Sequence, residues 1–155
     1  MIALLGDTHL PRGTRRLPER CVEILRSAAA IVHTGDLTSL AVLDALEAFA
    51  PVHAVRGNVD EPAVRERLPG RLVVELEGLG IGVVHDGGAR DRREARLRSW
   101  FPDCDVIAYG HSHVPEISSY EGCWIVNPGS PTDRRRAPAH TMAVLDDGMP
   151  RLVEV

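Results

Sequence analysis

The chain has 155 residues, 44% of them hydrophobic, and a formal net charge of −4. That length allows one domain with a real core and is short for two, and the composition is that of a globular chain rather than a disordered one. The acidic balance supplies no global basic field for a nucleic-acid backbone, and no run approaches the roughly 18 apolar residues that a membrane span needs.

Ile2–Leu5 is a short apolar run closed by Gly6, which predicts a buried strand. Leu17, Cys21, Ile24, Leu25 and Ala28 recur at helical spacing, with Pro18 tolerated in the first turn. Ala30–His33 reads as the next strand. Thr38 or Ser39 is placed to cap a second helix that turns Leu40, Leu43, Leu46 and Phe49 inward, and residues 52–55 predict a third strand. This alternation is the pattern of parallel strands joined by crossover helices. Apolar runs at 72–76 and 81–84 flank Glu77-Gly78-Leu79-Gly80, a hairpin signal. A basic helix over about 91–100 follows, with Asp91 as its cap and Glu94 three residues on. A strand is expected at 106–109, and further strands at 114–119, 123–126, 141–145 and 152–155. No repeat or linker divides the chain, so a single domain over 1–155 is expected, with two sheets face to face and helices outside.

Cys21, Cys104 and Cys123 are an odd number with no close pair, which predicts free thiols in a reducing compartment rather than a disulfide framework or a zinc knuckle. The N-terminus carries no basic region before its short apolar run, unlike a signal peptide, and the expected location is the cytoplasm.

Seven residues able to ligate metal sit in five short motifs, each where a strand should end. They are Asp7 and His9 in Gly-Asp-Thr-His, Asp36 in Gly-Asp, Asn58 in Gly-Asn-Val-Asp, His85 after Gly-Val-Val, and His111 with His113 in Gly-His-Ser-His. In open α/β sheets ligands bind beyond the carboxyl ends of the strands, so these side chains should converge at one edge. Gly6, Gly35, Gly57 and Gly110 each precede a ligand, where glycine allows a sharp turn. Mixed oxygen and imidazole donors suit Mn, Fe, Co, Ni or Zn better than Ca or Mg, and the absence of cysteine argues against a structural zinc site. Two divalent ions bring four positive charges; Asp7, Asp36 and a bridging hydroxide leave the site net positive, which suits a phosphate group.

The order of these motifs resembles that of the calcineurin-like metallophosphoesterases. The short length and the Asn-Pro-Gly-Ser at Asn127 to Ser130 are similar to their small bacterial and archaeal phosphodiesterase branch. The resemblance implies a four-layer αββα fold of the α/β (α+β) class, a two-sheet β-sandwich flanked by helices. It implies that Asp7, His9 and His113 hold a first metal, that Asn58, His85 and His111 hold a second, and that Asp36 bridges both. Asp36, Asn58 and His111 count in the catalytic set as well. Manganese is the first expectation among the metals, and the implied mechanism is in-line attack by metal-activated hydroxide without a covalent intermediate. Two departures stand out. Many members have a histidine directly after the motif asparagine, where this chain has Val59, and His85 is followed by Asp86-Gly87-Gly88 where many read His-Gly-His.

Outside the motifs, His33 and His53 alternate with apolar residues and read as sheet residues, while His140 precedes a strand and is a weaker candidate for the site than for a place outside it. Arg12 is the best candidate for a substrate phosphate contact, ahead of Arg15 and Arg16. Arg90, Arg92, Arg93, Arg96 and Arg98 read as a solvated helix face, Arg134 to Arg136 as lining of either the cleft or a subunit contact, and Trp100 and Phe101 as core. The expected function is hydrolysis of a small phosphate diester. The alternatives are a protein-interaction scaffold on the same fold, as in retromer, and a nuclease, which would bring a basic groove. The expected partner is a small-molecule phosphate ester, with no membrane, nucleic acid disfavoured, and a leaning toward a homo-oligomer drawn from the resemblance.

Overall fold

Strand and helix alternate as the apolar pattern requires in the computed structural model, which describes all 155 residues. In chain order the elements are β1 (Ile2–Leu5), α1 (Glu19–Ser27), β2 (Ala30–His33), α2 (Leu40–Glu47), β3 (Val52–Ala54), α3 (Pro62–Arg67), β4 (Arg71–Leu76), β5 (Leu79–Val84), α4 (Arg93–Trp100), β6 (Val106–Ala108), β7 (Glu116–Tyr120), β8 (Cys123–Asn127), β9 (Thr141–Asp146) and β10 (Met149–Glu154). The first sheet has the order β10-β9-β1-β2-β3 and the second β4-β5-β6-β8-β7. β1, β2 and β3 are parallel, as are β5, β6 and β8; the antiparallel strands lie toward the edges.

β1 shows why the sheets stack. It has a hydrogen-bonded neighbour on each side and all four of its residues are buried, so it reads as continuously apolar. Its side chains still alternate between faces. Ala3 and Leu5 pack with Cys21 and Leu25 of α1, Leu43 and Leu46 of α2 and Val64 of α3. Ile2 and Leu4 turn the other way and meet Ile81, Val83, Val106, Ala108 and Val126 of the second sheet. A third cluster joins Leu97 and Phe101 to Ile107 and Ile125 and covers the far face with α4. Three apolar interfaces therefore separate four layers in the order α, β, β, α, as the resemblance implies.

Several local expectations change. The first turn of α2 is not capped by Thr38 or Ser39, whose hydroxyls are buried without partners; the Glu61 carboxylate takes the Leu40 N–H at 3.0 Å. Asp91 does not cap α4. That helix starts after Arg92, which is in the left-handed region at φ 52°, and its first turns are braced by Arg96 reaching back to the Gly87 and Asp91 carbonyls. α3 has no counterpart among the expected elements, because a helix of six residues with only Val64 buried leaves no periodic pattern to read. The three cysteines are free and buried, Phe101 is core, and Trp100 packs under the Arg71 guanidinium, 3.8 Å above its ring. No helix is long and apolar enough to cross a membrane.

Candidate metal centre

The parallel strands of both sheets end at one edge, and all seven expected residues meet there. The loop after β1 brings Asp7 and His9, that after β2 brings Asp36, and that after β3 brings Asn58; His85 follows β5, and His111 and His113 follow β6. In one half, His9 Nε2 lies 3.2 Å from His113 Nε2, which is 3.5 Å from Asp7 Oδ1. In the other, Asn58 Oδ1 lies 2.9 Å from His85 Nε2 and 3.0 Å from His111 Nδ1. Asp36 Oδ2 sits between the halves, 3.6 Å from His9 Nε2 and 3.4 Å from His85 Nε2. Asp7 is also within reach of the second half: its ligand atom lies within 4.8 Å of those of Asp36 and His85 as well as of those of His9 and His113.

These residues fit divalent cations on their own evidence. Asp7 Oδ1 is buried and has no hydrogen-bond partner, although it faces an imidazole nitrogen. A buried carboxylate oxygen left this way is costly unless a cation completes it. The histidines are turned for the same purpose. Nδ1–H of His85 donates to the Thr34 carbonyl at 2.9 Å and that of His113 to the Asp133 carbonyl, so each directs the lone pair of Nε2 inward. The two halves differ in access: Asp7, His9 and His113 are buried, while Asn58 and His111 are exposed. The second half is the open one.

Convergence is achieved by strained backbone. Asp7, His9, Asp36, His111 and His113 all have φ between 45° and 70°. For non-glycine residues that region costs about 1–2 kcal/mol each, so surrounding contacts must over-determine it. The motif glycines mostly serve a different need from the one expected. Gly35 does take a positive φ of 102°, but Gly57 matters for close approach, since a Cβ there would collide with the Asp36 carboxylate.

The residues that hold this geometry carry little signal in the sequence. Asp60 is 4% exposed, and its carboxylate accepts three backbone N–H groups, from Asp36 at 3.2 Å, Thr38 at 2.7 Å and Gly57 at 2.6 Å. Its place in Gly-Asn-Val-Asp is the one feature that could have found it. The turn after β8 closes the floor of the site: Ser130 Oγ donates to the Asp7 carbonyl at 2.8 Å, Thr132 Oγ1 to the Thr8 carbonyl, and Asn127 Nδ2 to the Gly110 carbonyl at 3.1 Å. Asp7 Oδ2 accepts the His111 N–H at 2.9 Å, and Asp36 Oδ1 that of Val59 at 2.9 Å.

The electrostatics set the two aspartates apart. Burial pushes Asp7 up to about 7, with His85 opposing. Burial pushes Asp36 upward too, but the neighbouring His85, the Val59 N–H and His9 together outweigh it and hold the group at about 2. Burial lowers His113 to about 4 and lowers His9, which keeps both neutral and able to donate a lone pair. His85 is opposed by burial as well, yet Asp36 raises it above its ordinary value.

Around the centre, His9, Pro11, Arg12, Thr38, Val59 and Arg135 line a cavity of about 310 Å³. Arg12 is thus where a substrate contact is expected, and Val59 opens onto the same space with 43% of its surface exposed. Asp86 accepts the Gly88 N–H at 2.7 Å and shapes a turn. The helix arginines are not all a solvated face: Arg93 binds Tyr109 Oη at 3.1 Å, Arg96 the Gly87 carbonyl at 2.9 Å and Arg98 the Cys104 carbonyl at 2.7 Å, while Arg90 and Arg92 are exposed. His33 and His53 lie in β2 and β3 as expected. His140 joins neither ligand group; its carbonyl takes the Val155 N–H where β10 ends.

The family profile of the calcineurin-like phosphoesterase superfamily domain matches residues 1–147. A probable metallophosphoesterase of Methanothermobacter thermautotrophicus is 35% identical over 150 residues, 96% of this chain and 87% of that one. A novel archaeal phosphodiesterase has a similar structure, with a TM-score of 0.77 at 24% identity over 99% of each chain. Wild-type Vps29 of Entamoeba histolytica, complexed with Zn²⁺, has a TM-score of 0.75 at 24% identity, over 99% of this chain and 97% of that one. The chain belongs to the calcineurin-like phosphoesterase superfamily.

Proposed function

We propose that this protein is a metal-dependent phosphodiesterase that hydrolyses a small phosphate diester by direct attack of water. The observation that carries the reading is Asp36, whose Oδ2 lies 3.6 Å from His9 Nε2 and 3.4 Å from His85 Nε2. One carboxylate oxygen facing two donor sets is what a two-ion site requires. When bound, a pair of divalent ions supplies an activated water and the positive charge that offsets the phosphate, with manganese the first choice and Fe, Ni, Co or Zn the alternatives for this mixture of donors.

The chain's own residues do the rest. The buried half, Asp7, His9 and His113, is held by the turn after β8 and stays fixed. Asn58 and His111 are exposed, so the substrate approaches on their side, and Asp36, Asn58 and His111 face the reacting group. Arg12 lines the adjoining cavity, placed for a non-bridging phosphate oxygen. Val59 and Pro11 give that cavity an apolar wall, which seats the second ester group that a monoester lacks. The cysteines are buried, which agrees with water rather than a thiol as the nucleophile. Val59 donates no proton, so leaving groups that depart unprotonated are favoured, and aryl diesters should have a much larger kcat than alkyl diesters. Equal rates for the two would refute that reading of Val59.

The scaffold reading draws on the likeness to Vps29, which at 24% identity is a likeness of fold. Because that protein was crystallised with Zn²⁺, metal uptake alone does not separate scaffold from enzyme. Turnover does. A matrix of Mn, Ni, Co, Zn and Mg against aryl mono- and diesters should show diester hydrolysis with at least one transition metal and its loss on chelation. No turnover with any metal would support the scaffold.

A further inference from the structure

We propose that Arg135 is a substrate-binding catalytic residue, supplying to the phosphate the cationic contact that Val59 cannot. The proposal rests on the phosphoesterase reading above. Arg135 lines the cavity that also holds His9, Arg12 and Val59, and it lines a second cavity of about 380 Å³ with Ser112, Val114 and Arg136. It is the residue common to both.

Two nearby arginines are committed elsewhere, while Arg12 and Arg136, which share its cavities, are as free as Arg135 itself. Arg15 pairs with Asp133 at 3.2 Å, and Arg134 donates to the Ala137 carbonyl at 2.8 Å, whereas the Arg135 guanidinium has no hydrogen bond or ion pair within the protein. The segment that presents it is anchored to the site. Asp133 takes the Nδ1–H of His113 on its carbonyl and gives its own N–H to Ser130 Oγ at 2.9 Å, and Arg135 follows in the left-handed region at φ 46°.

A guanidinium presents a planar fork that matches two phosphate oxygens, and it remains protonated at any working pH. Arg135 therefore stabilises negative charge on the phosphoryl oxygens or on the departing oxygen without transferring a proton. It takes over the electrostatic part of a histidine's role at position 59 and leaves the acid part unfilled, so the preference for aryl leaving groups persists.

The test compares wild type, Arg135→Ala and Arg135→Lys, with Arg26→Ala, an exposed residue in the last turn of α1, as the control. Metal content, affinity for inorganic phosphate by calorimetry on the manganese-loaded protein, and kcat and KM on an aryl diester are measured. Arg135→Ala should keep full metal content, bind phosphate roughly tenfold or more weakly, and lose roughly 100-fold in kcat/KM. Lysine should recover part of both, and added guanidinium should partly restore turnover in Arg135→Ala. Full metal content with unchanged phosphate affinity and kcat/KM would overturn the assignment; so would loss of metal from Arg135→Ala, which would mark a structural role. If wild type takes up metal but hydrolyses nothing, the parent reading fails while phosphate affinity still decides Arg135. A wild type that takes up no divalent ion overturns both.

Discussion

Val59 and His33 show how single side chains set the limits of this site. Val59 is an apolar, partly exposed group lining the cavity beside the centre, and the proposed leaving-group preference rests on its inability to donate a proton. His33 lies beneath the centre, fully buried in β2, where its alternation with apolar neighbours places it. Its Nδ1 accepts the Gly35 N–H at 3.1 Å, and its Nε2 is 3.2 Å from Thr8 Oγ1, which leaves no room for a second proton. Burial, reinforced by His85, holds this imidazole down to about 3 from its ordinary 6.5. Protons thus bind the unfolded chain in preference to the folded one between those values. His33 therefore costs no stability above pH 6.5 and withdraws it as pH falls from 6.5 toward 3. Urea unfolding of metal-free protein across this range should show His33→Gln with a shallower pH slope, by roughly one proton. An identical slope in both proteins would contradict the account.

At the scale of elements, the strands announce themselves in the sequence and the loops do not. Ile2–Leu5 and Ala30–His33 are apolar runs ended by a glycine or a polar motif, and a ligand just beyond such a run must lie at the sheet's edge. That logic is local, and it brings all seven candidate residues to one edge. The left-handed backbone at Asp7, His9, Asp36, His111 and His113 leaves only a weak trace in residue type, because Asp and His adopt it more often than other side chains but far less readily than glycine. The supports are equally hidden, since each acts across a long stretch of chain. Asp60 ties the loop after β2 to the loop after β3, and nothing near Asp60 in sequence names Asp36 or Thr38 as its partners. Asp91 misleads for another reason: its spacing to Glu94 suits a cap, but the left-handed turn at Arg92 starts the helix one residue later than that spacing requires. Asp60→Ala leaves three backbone donors without an acceptor and should destabilise the protein by about 3 kcal/mol. It should also weaken metal affinity by roughly 10- to 100-fold, because Asp36 and Asn58 both depend on these loops. Denaturant unfolding and metal titration of the variant check this, and wild-type values in both would refute the bracing role.

Across the whole molecule, four layers hold two sets of parallel strand ends against each other, so the metal centre is also a joint between the sheets. Asp7, His9, Asp36 and Asn58 come from the first sheet and His85, His111 and His113 from the second. Cations that bind only when both sheets are in place stabilise the fold by mass action. At about 100 times Kd, each site should add about 2.7 kcal/mol, which for a domain of this size is a rise in Tm of about 5–10 °C. Thermal unfolding with manganese and with chelator should show that rise, and a Tm independent of metal concentration would contradict it.

Asp36 carries the proposed sharing of one carboxylate between two ions, and its replacement by asparagine tests that role most directly. The substituted amide would keep the shape and the Val59 hydrogen bond but remove the charge facing His9 and His85. Hydrolysis of an aryl phosphodiester by the metal-loaded Asp36→Asn protein should fall by roughly 1,000-fold in kcat/KM relative to wild type. Turnover within a few-fold of wild type would show that the two halves do not work as one centre.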